Sequence, residues 1–148
     1  MGELADAVLK GGGEVIGVIP QALVERELAH NGLTDLRIVN SMHERKALMA
    51  ELADAFVALP GGYGTLDEFC EILTWVQLGL QRKPCGILNV EGYYDALLQF
   101  FDHAVREHFV HPAHREMLIA EQDPSKLLER LIASDVPAVD KIMSKLEA

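Results

Sequence analysis

Short apolar segments recur along the chain, separated by stretches in which apolar and polar residues follow a helical period. Five of these segments have the length of a strand, at positions 15–19, 36–39, 55–59, 84–89 and 117–120. Segment 55–59 is apolar throughout and lies between Asp54 and Pro60, as expected for a strand buried on both faces of a sheet. We therefore expect five short strands.

The stretches between the strands predict helices, because their apolar residues recur every three or four positions. The predicted helices cover residues 3–10, 41–53, 65–78, 93–108 and 123–133. Strands that alternate with helices are typical of a parallel sheet covered by helices on both faces. The pattern predicts one α/β domain over residues 1–148, doubly wound, with residues 134–148 as a peripheral tail.

The stretch from Pro60 to Glu68 joins the third predicted strand to the helix that follows it and is rich in glycine. Glycine can reach positive φ freely, and Gly61, Gly62 and Gly64 have no side chains to keep a ligand from the first N–H groups of the helix. Such a helix start attracts anions, above all phosphate. We interpret the stretch as a phosphate-binding turn. It is not a Walker loop, since no Gly-Lys-Ser/Thr sequence follows.

A purely structural alternative exists for the same stretch. Thr65 and Glu68 have the spacing of a capping box, in which the Thr65 side chain accepts from the Glu68 amide and Glu68 reaches back, without any ligand. Capping explains these two residues, but an ordinary cap does not need three glycines behind a buried strand.

A second capping box, Ser41 with Glu44, predicts the start of the helix over 41–53. Arg45 and Lys46 follow within two turns of this start, where cations oppose the helix dipole. A nearby anion would offset that cost, although either cation alone could simply face water. Because ligands bind beyond the carboxyl ends of parallel strands, we expect Arg45 and Glu68 to serve one site.

The composition limits the kinds of molecule that the protein is expected to bind. The chain has 148 residues, 49% of them hydrophobic, and a formal net charge of −10. No cluster of Lys and Arg is present, so nucleic acid is not an expected partner. No apolar run approaches the length of a membrane span, and Cys70 and Cys85 form no Cys-x-x-Cys motif. We expect a cytoplasmic protein with both cysteines reduced and buried, and no membrane partner.

The candidate chemistry is attack by water on a phosphorylated metabolite, since a phosphate-binding helix start, two cations and a carboxylate occur together. Glu68, in the first turn of its helix, would be favoured in the ionised form by the dipole, which suits electrostatic or general-base work. Arg45 keeps its proton, so it would hold phosphate or fix Glu68. The four histidines between 103 and 114 lack the partners of a metal site, and we expect neither a metal nor a cofactor.

Segments 41–46 (Ser-Met-His-Glu-Arg-Lys) and 60–68 (Pro-Gly-Gly-Tyr-Gly-Thr-Leu-Asp-Glu) together resemble the LONELY GUY family of cytokinin riboside 5′-monophosphate phosphoribohydrolases. The resemblance extends from Met1 to about Ala133. It implies a Rossmann-like fold and hydrolysis of the N-glycosidic bond of N6-substituted adenosine 5′-monophosphates, which releases the free base and ribose 5-phosphate. It also implies a homodimer or a larger assembly, with the nucleotide site near the subunit contact.

The resemblance assigns roles to individual residues. By match to the family's motifs, Arg45 and Glu68 would be the catalytic pair. The residues that would line the nucleotide site are Glu27, Lys46, Gly61, Gly62, Tyr63, Gly64, Thr65, Leu66, Asp67 and Thr74. Older descriptions of the family suggest lysine decarboxylases, but pyridoxal enzymes need a Schiff-base lysine with an acidic partner for the pyridine nitrogen, and no lysine here has that setting.

The resemblance begins inside the family's glycine-rich Gly-Leu-Met-Gly turn, at Met1 and Gly2. We therefore expect the chain to be truncated relative to the family, without a central strand and with bare sheet edges. An internal methionine read as the start codon would explain this. The alternative to an enzyme is a non-catalytic nucleotide-binding module, either a remnant of the enzyme or a relative of the molybdenum-cofactor carrier proteins.

Overall fold

The strands and helices of the computed structural model follow the order that the sequence pattern predicts. The structure describes residues 2–24 and 32–136. Its strands are β1 (Ile16–Pro20), β2 (Asp35–Val39), β3 (Phe56–Ala58), β4 (Cys85–Leu88) and β5 (Leu118–Glu121). Its α-helices are α1 (Gly2–Lys10), α2 (Gln21–Val24), α3 (Met42–Leu52), α4 (Tyr63–Gln77), α5 (Asp95–Arg106), α6 (Pro112–Glu116) and α7 (Pro124–Ala133).

The chain divides into two compact units, Met1–Ala53 and Asp54–Ala148. In the first unit β1 and β2 pair in parallel, with Ile16 opposite Asp35. Helix α3 contacts both strands. The described helices of this unit bury none of their residues fully, so the unit relies on strand pairing and on partly buried side chains.

The second unit contains a three-stranded parallel sheet in the order β3, β4, β5. Helix α7 lies against β4 and β5, where Leu127 and Leu131 form a buried cluster with Ile119. A Cβ on Gly86 of β4 would come within 2.8 Å of Leu127 Cδ1, so glycine at this position allows α7 to approach the sheet.

Parallel strands joined by helices confirm the predicted α/β, Rossmann-like class. The interpretation of residues 1–148 as one domain stays a prediction, and the predicted tail from 134 lies mostly outside the described residues, which end at 136. None of the described helices is both long enough and apolar enough to cross a bilayer.

Two predictions of burial are wrong. Val57 of β3 is 41% exposed, so the sheet face to which it points is not fully covered, although the sequence predicts a strand buried on both faces. Cys70 is exposed on α4, whereas Cys85 is buried in β4 as predicted. Burial raises the pKa of the Cys85 thiol to about 12, whereas partial loss of solvent around the thiol, together with the negative charge of Asp67, raises the pKa of Cys70.

Candidate functional site

The glycine turn links the end of β3 to the start of α4. Gly62 is the N-cap residue of α4, and Leu66 N donates to the Gly62 carbonyl at 3.1 Å in the first helical hydrogen bond. The N–H groups of residues 63–65 precede that bond, so they have no carbonyl acceptor within the helix. The turn therefore ends in several N–H donors at the positive end of a 15-residue helix, and helix starts in general attract anions such as phosphate.

Close contact between the turn and α4 requires glycine at position 61. A Cβ there would lie 2.9 Å from Thr65 Cβ and closer still to Thr65 Oγ1. Any larger residue would push the turn away from the helix start. At Gly62 and Gly64 a Cβ would meet no described atom within 4 Å, so these two glycines leave open space beside the N–H donors.

Helix α4 begins earlier than the capping-box alternative requires. With Gly62 as N-cap, Thr65 is the third residue of the helix and Glu68 is the sixth. The interpretation of Thr65 as a capping residue is therefore wrong, because the glycines allow the helix to begin at Tyr63. Glu68 lies in the second turn rather than the first, beyond the range where the helix dipole acts strongly.

Two tyrosines that sequence reasoning did not assign to the site contact the turn. Tyr94 Oη donates to the Leu59 carbonyl at 2.5 Å, and Tyr93 Oη donates to the Gly61 carbonyl at 3.0 Å. Burial raises the pKa of the Tyr94 phenol, so this hydroxyl stays a donor at neutral pH. Their position just beyond the carboxyl end of β4, the strand next to β3, is the signal that points to them in the sequence.

The start of α3 in the first unit is capped as the sequence predicts. Ser41 is the N-cap residue, and its Oγ accepts from the Glu44 amide at 3.1 Å. The Glu44 carboxylate reaches back and accepts from the Asn40 amide at 2.8 Å. These bonds satisfy backbone donors at the helix start without a ligand.

Arg45 and Lys46 are the fourth and fifth residues of α3, and both are partly buried. Arg45 Nε donates to the Val18 carbonyl of β1 at 3.0 Å. This bond holds the guanidinium against the strand, so its orientation is set by the sheet of its own unit. Because Arg45 belongs to the first unit and Glu68 to the second, their assignment to one site stays a prediction.

Thr74 lies well along α4 from the glycine turn. At 1.5 Å per residue it is roughly 16 Å along the helix axis from Tyr63. Its Oγ1 donates to the Cys70 carbonyl at 2.8 Å. The structure therefore does not bring Thr74 next to the N–H groups at the helix start. Thr74 instead borders a cavity of about 180 Å³ with apolar walls that include Leu73 and Phe101.

The other predicted residues of the nucleotide site differ in exposure. The Tyr63 side chain is 93% exposed, Asp67 is exposed, and Leu66 is partly buried. Glu27 lies outside the described residues. Within residues 2–24 and 32–136, no three His, Cys, Asp or Glu side chains are grouped closely enough to hold a metal ion.

Comparison with known proteins places this chain among relatives of one kind. A family model described as possible lysine decarboxylase matches residues 1–131. LOGL9 of Oryza sativa subsp. japonica, named a probable cytokinin riboside 5′-monophosphate phosphoribohydrolase, is 53% identical over 88% of this chain and 58% of its own length. LOGL6 of the same organism carries the same description and is 48% identical over 99% of this chain and 58% of its own length.

The Arabidopsis thaliana protein LOG1, a cytokinin riboside 5′-monophosphate phosphoribohydrolase, is 48% identical over 98% of this chain and 68% of its own length. The chain spans 58% of the length of each of the two rice relatives. Since the family model covers residues 1–131, the chain belongs to the LONELY GUY family, which that model describes as possible lysine decarboxylases.

Proposed function

We propose that this chain carries the nucleotide site of a phosphoribohydrolase. The substrate is an adenosine 5′-monophosphate, with or without an N6 substituent, and the products are the free cytokinin or adenine base and ribose 5-phosphate. Relatives that are 48% to 53% identical bear the name cytokinin riboside 5′-monophosphate phosphoribohydrolase, which supports this reaction class.

The glycine turn at the start of α4 is the observation that carries the proposal. Its N–H donors at residues 63–65 and the open space at Gly62 and Gly64 suit a phosphate monoester. A formal net charge of −10 disfavours anions over most of the surface, so a phosphorylated substrate needs such a local site.

In the proposed reaction the bond between ribose C1′ and purine N9 breaks as water attacks C1′. The water oxygen becomes the C1′ hydroxyl of ribose 5-phosphate, and one water proton ends on the departing base. Positive charge develops on the ribose in the transition state, and a carboxylate stabilises it. Glu68 takes this role. Arg45, which keeps its charge, binds phosphate or orients Glu68, and Lys46 adds a second cation.

We further infer that the protein acts as a homodimer or larger assembly in the cytoplasm. Large apolar side chains are exposed on the second unit, among them Leu80 and Phe109, which supports self-association. The thiols of Cys70 and Cys85 are free, which supports a reducing compartment.

The test is release of free base from N6-isopentenyladenosine 5′-monophosphate, followed by chromatography, with substrate binding followed by calorimetry. We expect the wild type to release base. Glu68→Gln keeps the shape of the side chain and removes its charge, so turnover should fall by about a hundredfold or more while binding changes little. Glu129→Gln makes the same change on the exposed face of α7 and should leave turnover unchanged.

Undiminished release by Glu68→Gln would remove this residue from the mechanism. Tight binding by the wild type without release of any base would support the non-catalytic nucleotide-binding module instead. A double-mutant cycle with Arg45→Ala and Glu68→Gln then tests whether the two residues act on one substrate, since independent residues give additive losses.

A further inference from the structure

The carbonyl groups of the glycine turn are held by hydroxyl groups from another loop of the same unit. Tyr94 Oη donates to the Leu59 carbonyl and Tyr93 Oη to the Gly61 carbonyl, at 2.5 and 3.0 Å. The two rings are perpendicular, with centroids 5.0 Å apart. The part of the turn from Leu59 to Gly61 is thus held by hydrogen bonds from two tyrosines that lie just before α5.

The tyrosine pair is itself anchored to the sheet through Asn89, which is buried at the end of β4. Asn89 Oδ1 accepts from the Tyr94 amide at 2.7 Å, and Asn89 Nδ2 donates to Asp95 Oδ1 at 2.7 Å. Asn89 N donates to the Glu121 carbonyl of β5 at 2.8 Å. With two bonds from its buried side-chain amide and one from its backbone N–H, Asn89 holds the loop in one conformation.

A fixed carbonyl at residue 61 also fixes the N–H group that follows it. The described chain contains no cis peptide bond, and in a trans peptide the C=O of one residue and the N–H of the next point in opposite directions. The bond from Tyr93 to the Gly61 carbonyl therefore directs the Gly62 N–H to the opposite side. The other carbonyl that the tyrosines hold, that of Leu59, is followed by Pro60, which has no N–H group. The Gly62 N–H is therefore the donor that the tyrosine contacts orient.

We propose that Tyr93 is a positioning residue for phosphate, and that Tyr94 and Asn89 hold it in place. This inference rests on the proposed function, in which the glycine turn binds the phosphate monoester. Glycine permits many orientations of the peptide between residues 61 and 62. Tyr93 selects the one in which the N–H faces away from the tyrosines, and it keeps the carbonyl lone pairs away from the anion.

The experiment compares binding of AMP with binding of adenosine, because the two ligands differ only in the phosphate. Tyr93→Phe removes one hydroxyl from a side chain that is 57% exposed, so the variant should fold. We expect its affinity for AMP to fall about threefold to tenfold while its affinity for adenosine stays the same. In turnover, KM for the monophosphate should rise with little change in kcat.

The matched control is Ser134→Ala, which removes another hydroxyl that donates to a carbonyl of the same unit, Leu131, at 2.8 Å. It should leave both affinities unchanged. Tyr94→Phe gives a second variant, with the same selective loss for AMP expected. If that variant fails to fold, Tyr93→Phe carries the test alone, since its hydrogen bond lies closer to solvent.

The outcomes separate this inference from the proposed function. A wild type that binds AMP no better than adenosine refutes phosphate binding by the turn, and with it the role of Tyr93. A wild type that prefers AMP, together with a Tyr93→Phe variant that keeps the full preference, refutes only the positioning role. Equal weakening for both ligands would mean that Tyr93 acts on stability alone, and that result also overturns the inference.

Discussion

Burial of the His114 ring costs free energy, and no hydrogen bond among the described residues offsets that cost. Among the described residues neither of its ring nitrogens has a hydrogen-bond partner, although both are buried. Burial lowers the pKa of His114 below its ordinary value of 6.5, and the nearby His111 lowers it further. A neutral, unpaired imidazole in this position lowers stability, because buried polar atoms lose their hydrogen bonds to water.

The stability of the protein should therefore fall in mildly acidic solution. Below a pH of about 6.5 the unfolded chain binds a proton at His114 that the folded chain does not bind, so the free energy of unfolding decreases as pH falls through that range. His114→Leu removes the titrating group, and urea unfolding at neutral pH and near pH 5.5 should show a higher stability and a smaller pH dependence for this variant.

His103→Leu is the control for this prediction, because His103 is exposed and its Nδ1 lies 4.0 Å from Glu107 Oε1. The control should keep the pH dependence of the wild type. Equal pH dependence in the wild type and in His114→Leu would show that other groups cause the acid sensitivity.

Helix α3 of the first unit depends on the cap at its start more than on a buried face. Helix α3 has no fully buried residue, and its start is held by the bond from the Glu44 amide to Ser41 Oγ. In the second unit, α7 has a similar cap at Asp123 but also buries Leu127 and Leu131. The cap therefore provides a larger part of the stabilising interactions of α3 than of α7.

Ser41→Ala should lower stability by about 1 kcal/mol, because it leaves a helix N–H group without its side-chain acceptor. Ser41→Asp retains an acceptor at the cap and should lose much less. Urea unfolding followed by circular dichroism measures both. Equal losses in the two variants would mean that the hydroxyl has a role other than capping.

The whole molecule concentrates its buried apolar residues in one unit. Apart from Pro20 at the end of β1, the buried apolar side chains of the described chain lie between Ala58 and Leu131, within the second unit. Since burial of apolar surface is the main favourable term in folding, the first unit should open more readily than the second.

Hydrogen exchange followed by mass spectrometry should therefore show faster exchange in β1 and β2 than in β4, where Ile87 is fully buried. Leu131→Ala removes a buried side chain and should speed exchange across the second unit, at a cost of about 2–5 kcal/mol. The adjacent Ile132 is 86% exposed, so Ile132→Ala should change little. Similar exchange rates in β1 and β4 would contradict this division of stability.

Much of this architecture follows from local pattern. The apolar periodicity located every described strand and each long helix to within a few residues, because strands and helices expose faces with different repeats. Glycine chemistry indicated a turn between β3 and α4, and the spacing of Ser41 to Glu44 indicated the cap of α3. The start of α4 was misplaced, since the glycines that open the turn also permit the helix to begin at Tyr63.

The sequence by itself determined the α/β class, the order of elements and the glycine turn, because these depend on neighbouring residues. Only the tertiary structure decided that Val57 lies on an edge strand and that Tyr93 and Tyr94 hold the turn. Both results depend on which strands are neighbours in the sheet. Residues 59 and 94 are 35 positions apart, and no local pattern shows which carbonyl a distant hydroxyl will reach.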